Sequence, residues 1–159
     1  MSVSAFWLKW GLRFYPPLLF QRIWLVSIGR DFKTAEVIIN KSFLNRNYNR
    51  SIFGGTLFSA VDPFYPVMFH QVFIKKGFNV IVWSKSAQIQ FLKPSLTAMY
   101  FKIMLSESMI SNAEESLISV GKFSGLFDIN IHNKTNEICV TVTCEVYIRN
   151  VNFIETTII

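Results

Sequence analysis

The chain has 159 residues, 51% of them hydrophobic, 16% aromatic and only 16% charged. Leu, Ile, Val and Phe together number 59, against seven glycines, which excludes an intrinsically disordered chain and a fibrous or linker-dominated architecture. The length suits a single domain, and the formal charge of +6 favours an anionic partner without specifying one.

The first predicted element is a helix over Phe6-Trp7-Leu8-Lys9-Trp10-Gly11-Leu12-Arg13-Phe14. Trp7, Trp10 and Phe14 follow helical spacing there, and Lys9 and Arg13 fall on another face. Such a helix either packs on the protein's own sheet, the commoner fate of so short a stretch, or lies on a membrane surface. Pro16-Pro17 ends it and opens a second short helix, because proline is tolerated in a first turn. Ile23 to Ile28 is apolar, and Gly29-Arg30-Asp31 reads as a turn. Residues 1–30 are therefore taken as a helical extension and residues 31–159 as the main domain.

Lys33 to Phe43 alternates as a strand, and Arg46-Asn47-Tyr48-Asn49-Arg50 is a polar loop. From Ser51 to Ile74 Asp62 is the sole charged residue, and Gly54 to about Lys75 reads as one long helix, apolar nearly all round. Pro63, Pro66, His70 and Gln71 interrupt its apolar face. A central Asp also costs roughly 2.5–3.5 kcal/mol on insertion into a bilayer. The segment is thus a buried core helix.

Val80 to Leu92 has a period of two, with Ile81, Trp83, Ala87, Ile89 and Phe91 on one face. Strict alternation sets Lys85 on that same face. Either a bulge near Ser84 turns it outwards, or it points at the helix and pairs with Asp62. Thr97 to Leu105 alternates again, and Ser111-Asn112-Ala113-Glu114-Glu115 supplies a cap and first-turn acids for a short helix. Lys122 to His132 alternates through Phe123, Phe127, Ile129 and Ile131, and Asn133-Lys134-Thr135-Asn136 is a hairpin turn. Ile138, Val140, Val142, Val146 and Ile148 then face one way in the last strand. Five or so strands and one long apolar helix predict an α+β domain in which an antiparallel sheet curls around the helix.

Cys139 and Cys144 are five apart in that strand, which sends them to opposite faces; they neither bridge locally nor share a metal, and a reduced, cytoplasmic setting fits best. No signal-peptide pattern, Gly-x-Ser-x-Gly elbow, P-loop or His/Cys metal spacing is found. His70 is eight residues beyond Asp62, about 12 Å along a continuous helix, too far for a direct dyad. His132, beside the hairpin turn, is expected to be solvated. The basic residues Arg46, Arg50, Lys75, Lys76 and Lys93 form no dense run, which disfavours nucleic acid.

Asn47-Tyr48, Phe53-Gly54-Gly55 and Asp62 resemble the central-helix motif of hotdog-fold thioesterases of the phenylacetic-acid-degradation (PaaI-like) type: Asn, six residues on His-Gly-Gly, and Asp seven beyond the second Gly. Phe53 stands where that motif has His. A related hotdog family of unknown function is closer still. Its pattern resembles Asn47-Tyr48, Phe53-Gly54-Gly55, Asp62-Pro63-Phe64-Tyr65, Val82-Trp83-x-Lys85 and Ile89-x-Phe91-x-Lys93-Pro94, although it usually has Asp where this chain has Ser84. The resemblance runs from about Pro16 to Glu115. It implies a hotdog fold, a homodimer or higher two-fold oligomer with sheets joined edge to edge, and a cleft between subunits near Gly55 and Asp62.

The same residues have a physical reading. Gly54-Gly55 ahead of a helix lets a substrate approach bare N–H groups at the positive end of the dipole, where a thioester carbonyl is polarised and its oxyanion held. Asp62 lies about 10 Å further along an ideal helix, so a partner chain or a kink must bring the working atoms together. In an apolar neighbourhood its pKa would rise, which suits a general base. Alternatively Asp62 simply caps a helix restarting at Pro63. The catalytic candidates are Asp62, Gly55 and Asn47, and the substrate-binding candidates are Gly54, Phe53, Thr56, Lys85 and Lys93; no metal or cofactor is implied. The expected function is hydrolysis of an acyl-CoA or similar acyl thioester. The alternatives are a non-catalytic fatty-acyl or lipid-binding hotdog module, its aromatic N-terminal helix covering the pocket or touching membrane, and a structural oligomer without ligand.

Overall fold

A computed structural model describes residues 3–154. Two helices lead the chain, α1 (Ala5–Phe14) and α2 (Pro16–Phe20). They are followed by β1 (Ile23–Ile28), β2 (Thr34–Ile39), α3 (Gly54–Val61), α4 (Phe64–Lys75), β3 (Val80–Phe91), β4 (Met99–Met104), α5 (Glu107–Ser119), β5 (Lys122–His132) and β6 (Ile138–Asn150). The strands form one antiparallel sheet in the order β1-β2-β4-β5-β6-β3. There are six strands rather than about five, because Ile23–Ile28, expected within the helical extension, is the first strand of the sheet. Arg22, at φ 62°, turns the chain out of α2, and Ile23 and Leu25 then bury alternate side chains.

The inner face of the sheet meets α3 and α4 in one core. Val37, Ile39, Phe101, Ile103, Ile129, Val142, Val146 and Ile148 pack there with Leu57, Phe64, Met68 and Phe69. The expected single helix from Gly54 to Lys75 is broken at Asp62-Pro63. Pro63 and Pro66 lack the N–H groups that would bond the carbonyls of Ser59 and Asp62. Asp62 nevertheless stays helical (φ −56°, ψ −50°), and its orphaned carbonyl accepts a 2.9 Å hydrogen bond from Ser84 Oγ. No side chain caps α4, so Asp62 ends α3 instead of capping the next helix.

Three further expectations are corrected by local geometry. A bulge between Ser84 and Ser86 resets the alternation of β3, so Val82, Ala87 and Ile89 share one face with Ile148, Cys144 and Val142, whereas Ile81 and Trp83 lie on the other, opposite Arg149 and Tyr147. Helix α5 starts at Glu107 and is capped by Ser106, whose Oγ accepts from Met109 N at 3.2 Å; Ser111 and Asn112 fall inside it. His132 is only half-exposed, and its Nδ1 is shielded without a partner rather than solvated.

The bulge also settles Lys85, which is exposed and bonds Glu145 at 2.8 Å. Glu145 accepts further from Ser86 and Ser124, and these hydrogen bonds, that of Lys85 foremost, hold its carboxyl at about 2 against an ordinary 4.5. A carboxylate depressed in the folded state adds stability that is present above the unfolded value and is lost as pH falls through the folded one. The urea midpoint is therefore expected to fall between about pH 4.5 and pH 2 in part through this group, and Glu145→Gln to flatten that stretch of the profile. A Gln variant with an unchanged profile would refute the assignment.

Candidate functional site

The approach to α3 is set by two asparagines. Asn45, 3% exposed, receives Ser42 N (2.8 Å) on its Oδ1, and its Nδ2 donates to the carbonyls of Gln21 (2.8 Å) and Asn40 (2.9 Å). Its own carbonyl accepts from Phe53 N at 2.7 Å, which fixes the residue before the helix. Asn47 closes the next turn: its Oδ1 accepts from Ser51 N (3.1 Å) and Ser51 Oγ (3.2 Å). No motif signals Asn45, which lies just before the polar loop in the sequence. Asn45→Ala strands the carbonyls of Gln21 and Asn40 and is expected to cost about 2–3 kcal/mol in a denaturant titration. A loss below about 0.5 kcal/mol would show that water replaces it.

Phe53 precedes α3 in an extended conformation and gives it no side-chain cap, so the first turn keeps its unpaired N–H groups. A side chain at either glycine would meet an aromatic ring. A Cβ on Gly55 would sit 2.3 Å from Phe53 Cε1, and one on Gly54 would sit 3.0 Å from Phe91 Cζ. Two aromatic rings, Phe53 at 57% and Phe91 at 55% exposure, therefore cover the start of the helix.

Beside this start lies a cavity of about 590 Å³. Asn47, Ser51, Gly54, Lys93 and Ser95 give it polar groups, and Ile52, Leu57, Phe91, Leu92 and Leu96 an apolar wall. Among the expected residues it gathers Asn47, Gly54 and Lys93. Phe53 and Gly55 adjoin Gly54 in the chain, and Thr56 is buried at 2% exposure with its N–H bonded to the Phe53 carbonyl. Lys93 Nζ bonds Glu137, which holds the ammonium above and the carboxylate below their ordinary values. Ser95, which the sequence did not single out, is 3% exposed and its Oγ has no partner. It is the unassigned polar group in the wall.

Asp62 and Lys85 do not join this cluster. Asp62 is exposed at the α3–α4 junction, not in apolar surroundings of its own chain, and the break at Pro63 does not carry it to the cavity. Among the described residues no group of three or more His, Cys, Asp or Glu side chains could hold a metal ion, and no helix is long and apolar enough to cross a membrane.

The sequence matches the family described as Domain of unknown function (DUF4442) over residues 12–148. No curated protein matches it. Among solved structures it is similar to a Pseudomonas aeruginosa protein of unknown function described as a probable thioesterase, with 12% identity over 94% of this chain and 98% of that one and a TM-score of 0.81. A Chlorobaculum tepidum protein of unknown function shows 14% identity over 94% and 98%, with a TM-score of 0.77. The Escherichia coli PaaI protein of the phenylacetic acid degradation operon shows 14% identity over 94% and 96%, with a TM-score of 0.61. The fold is thus the α+β hotdog fold of the PaaI-like thioesterases.

Proposed function

We propose that this chain, which belongs to the DUF4442 family, hydrolyses an acyl-CoA or a similar acyl thioester as a homodimer. The observation that carries the reading is the cavity at the start of α3, where an apolar wall meets the free N–H end of a helix. An acyl chain fits against Leu57, Phe91, Leu92 and Leu96, and the thioester carbonyl points at Gly54 and Gly55, whose N–H groups and helix dipole stabilise the oxyanion as it forms. Asn47 shapes the turn beside it, Phe53 swings from the helix start to admit substrate, and Thr56 continues the first turn.

Asp62 supplies the base that activates water, and because it stands apart from its own cavity it serves the site of the neighbouring subunit. The twelve residues of β3 form a sheet edge without a partner among the described residues, and pairing two such edges about a two-fold axis removes both. Lys85, beside that edge, and Lys93, at the cavity rim, then meet the phosphates of a coenzyme A carrier. Release of free thiol from acyl-CoA esters of graded chain length tests the reading, and hydrolysis of none of them by a folded dimer would overturn it.

One observation favours the second reading, a non-catalytic acyl-binding module. The ring of Phe53 lies over Gly55 where the thioesterase motif carries His. Saturable binding of acyl-CoA without thiol release would select it.

A further inference from the structure

The N-terminal helix packs on the protein's own sheet through one face only. Ala5, Leu8 and Leu12 pack against the core, and Arg13 Nε fastens the helix to the sheet by donating to the Leu25 carbonyl at 2.9 Å. The opposite face, which a surface helix normally fills with polar residues, carries Phe6, Trp7 and Phe14 at 61%, 67% and 66% exposure. Their rings and that of Trp10 form a ladder: Phe6 meets Trp7 at 5.4 Å and Trp10 at 6.4 Å, and Trp10 stacks on Phe14 at 5.8 Å. Tyr15 and Phe20, next in the chain, are exposed as well. The bonds from Asn45 to Gln21 and from Asn40 N to Arg22 O bring exposed Phe43 and Leu44 to the same end of the molecule as Phe20.

The charge is distributed to match. Residues 1–61 hold eight Lys and Arg against two acids, and residues 62–159 hold eight of each, so the whole net charge of +6 resides in the segment that bears these aromatics. No acid occurs before Asp31. Of the eight cations in residues 1–61 only Lys33 has a carboxylate partner among the described residues, whereas four of the eight in residues 62–159, Lys76, Lys85, Lys93 and Lys102, are ion-paired.

Exposed aromatic rings on a helix that carries Lys9, with exposed Arg22 just beyond α2, match the interface of an anionic bilayer, where amphipathic rings sit at headgroup depth and basic residues meet lipid phosphates. We propose that the outward face of α1, with exposed Phe20, Phe43 and Leu44, docks the protein on the surface of an anionic membrane. The docking is peripheral. It is independent of whether the cavity hydrolyses its ligand.

The test is flotation of the full chain with vesicles of phosphatidylcholine alone or with about one third phosphatidylglycerol. Binding is expected to the mixed vesicles and to weaken as salt rises, with Trp fluorescence quenched by lipids brominated along the acyl chain. The variant F6S/W7S/F14S changes only exposed side chains and should keep the wild-type melting temperature while losing about tenfold or more in partitioning. Lys9→Glu and Arg22→Glu should each lower partitioning to the anionic vesicles about fivefold. Failure of the wild type to float with anionic vesicles, or wild-type flotation of the triple variant, overturns the proposal. So does a drop in oligomer size in the triple variant, which would show that a second copy covers this face.

Discussion

Asp62→Asn is expected to lower acyl-thioester turnover by about 10²–10⁴-fold, the range for removing a positioned general base, with no change in melting temperature. The two halves of that result have separate causes. Asp62 is exposed, its side chain bonds nothing among the described residues, and its structural contribution is made by its carbonyl, which takes the Ser84 hydroxyl and survives the substitution. Asn keeps the size of the carboxylate and the helical backbone, and removes only the capacity to take a proton from water. Steady-state rates on the best acyl-CoA, together with a thermal melt, read both halves. A variant that turns over at the wild-type rate sinks the base assignment, and one that loses activity only by unfolding makes Asp62 structural.

The largest effect on stability is expected at Phe69. Its side chain is fully buried, and its ring packs against those of Tyr65, Phe73 and Phe127 at 6.5, 6.2 and 5.2 Å. These contacts join α4 to β5, and Tyr65 reinforces the joint by donating to the Asp128 carbonyl at 3.3 Å. Burial pushes the Tyr65 phenol up to about 12, so that bond persists across the neutral range. Phe69→Ala should cost about 3–5 kcal/mol, a large share of the 5–15 kcal/mol that holds a typical domain folded. Phe58→Ala, on α3 at 40% exposure, is the control and should cost about 1 kcal/mol or less. Equal losses in a urea titration would mean that the core does not centre on α4.

The sequence made the sheet legible where one face is buried and the other is not. Phe127, Ile129, Val142, Val146 and Ile148 alternate because one face meets helices, and a period of two survives only in that situation. It failed where one extra residue intervenes. The bulge at Lys85 moves Ile81 and Trp83 to the outer face, and nothing but the oddity of a lysine in an apolar row announces it. The helix break was legible as two prolines, but not the way its loose carbonyl is satisfied, since Ser84 is 22 residues from Asp62. In the candidate site, Gly54 and Asn47 stood out through a local motif. Asn45 and Ser95 did not, because their roles are defined by groups far away in the chain or by a wall that exists only after folding.

The two cysteines take on a meaning that their count alone did not carry. Both are free and buried on β6, the strand paired along both of its sides, Cys139 near the hairpin end and Cys144 in the middle. Burial pushes the Cys144 thiol to about 11 and raises that of Cys139. Attack by an alkylating reagent needs a solvent-exposed thiolate, so neither sulfur reacts until the packing over β6 opens. The chain thus carries a built-in clock for the opening of its core, with one hand near the end of the strand and the other at its centre.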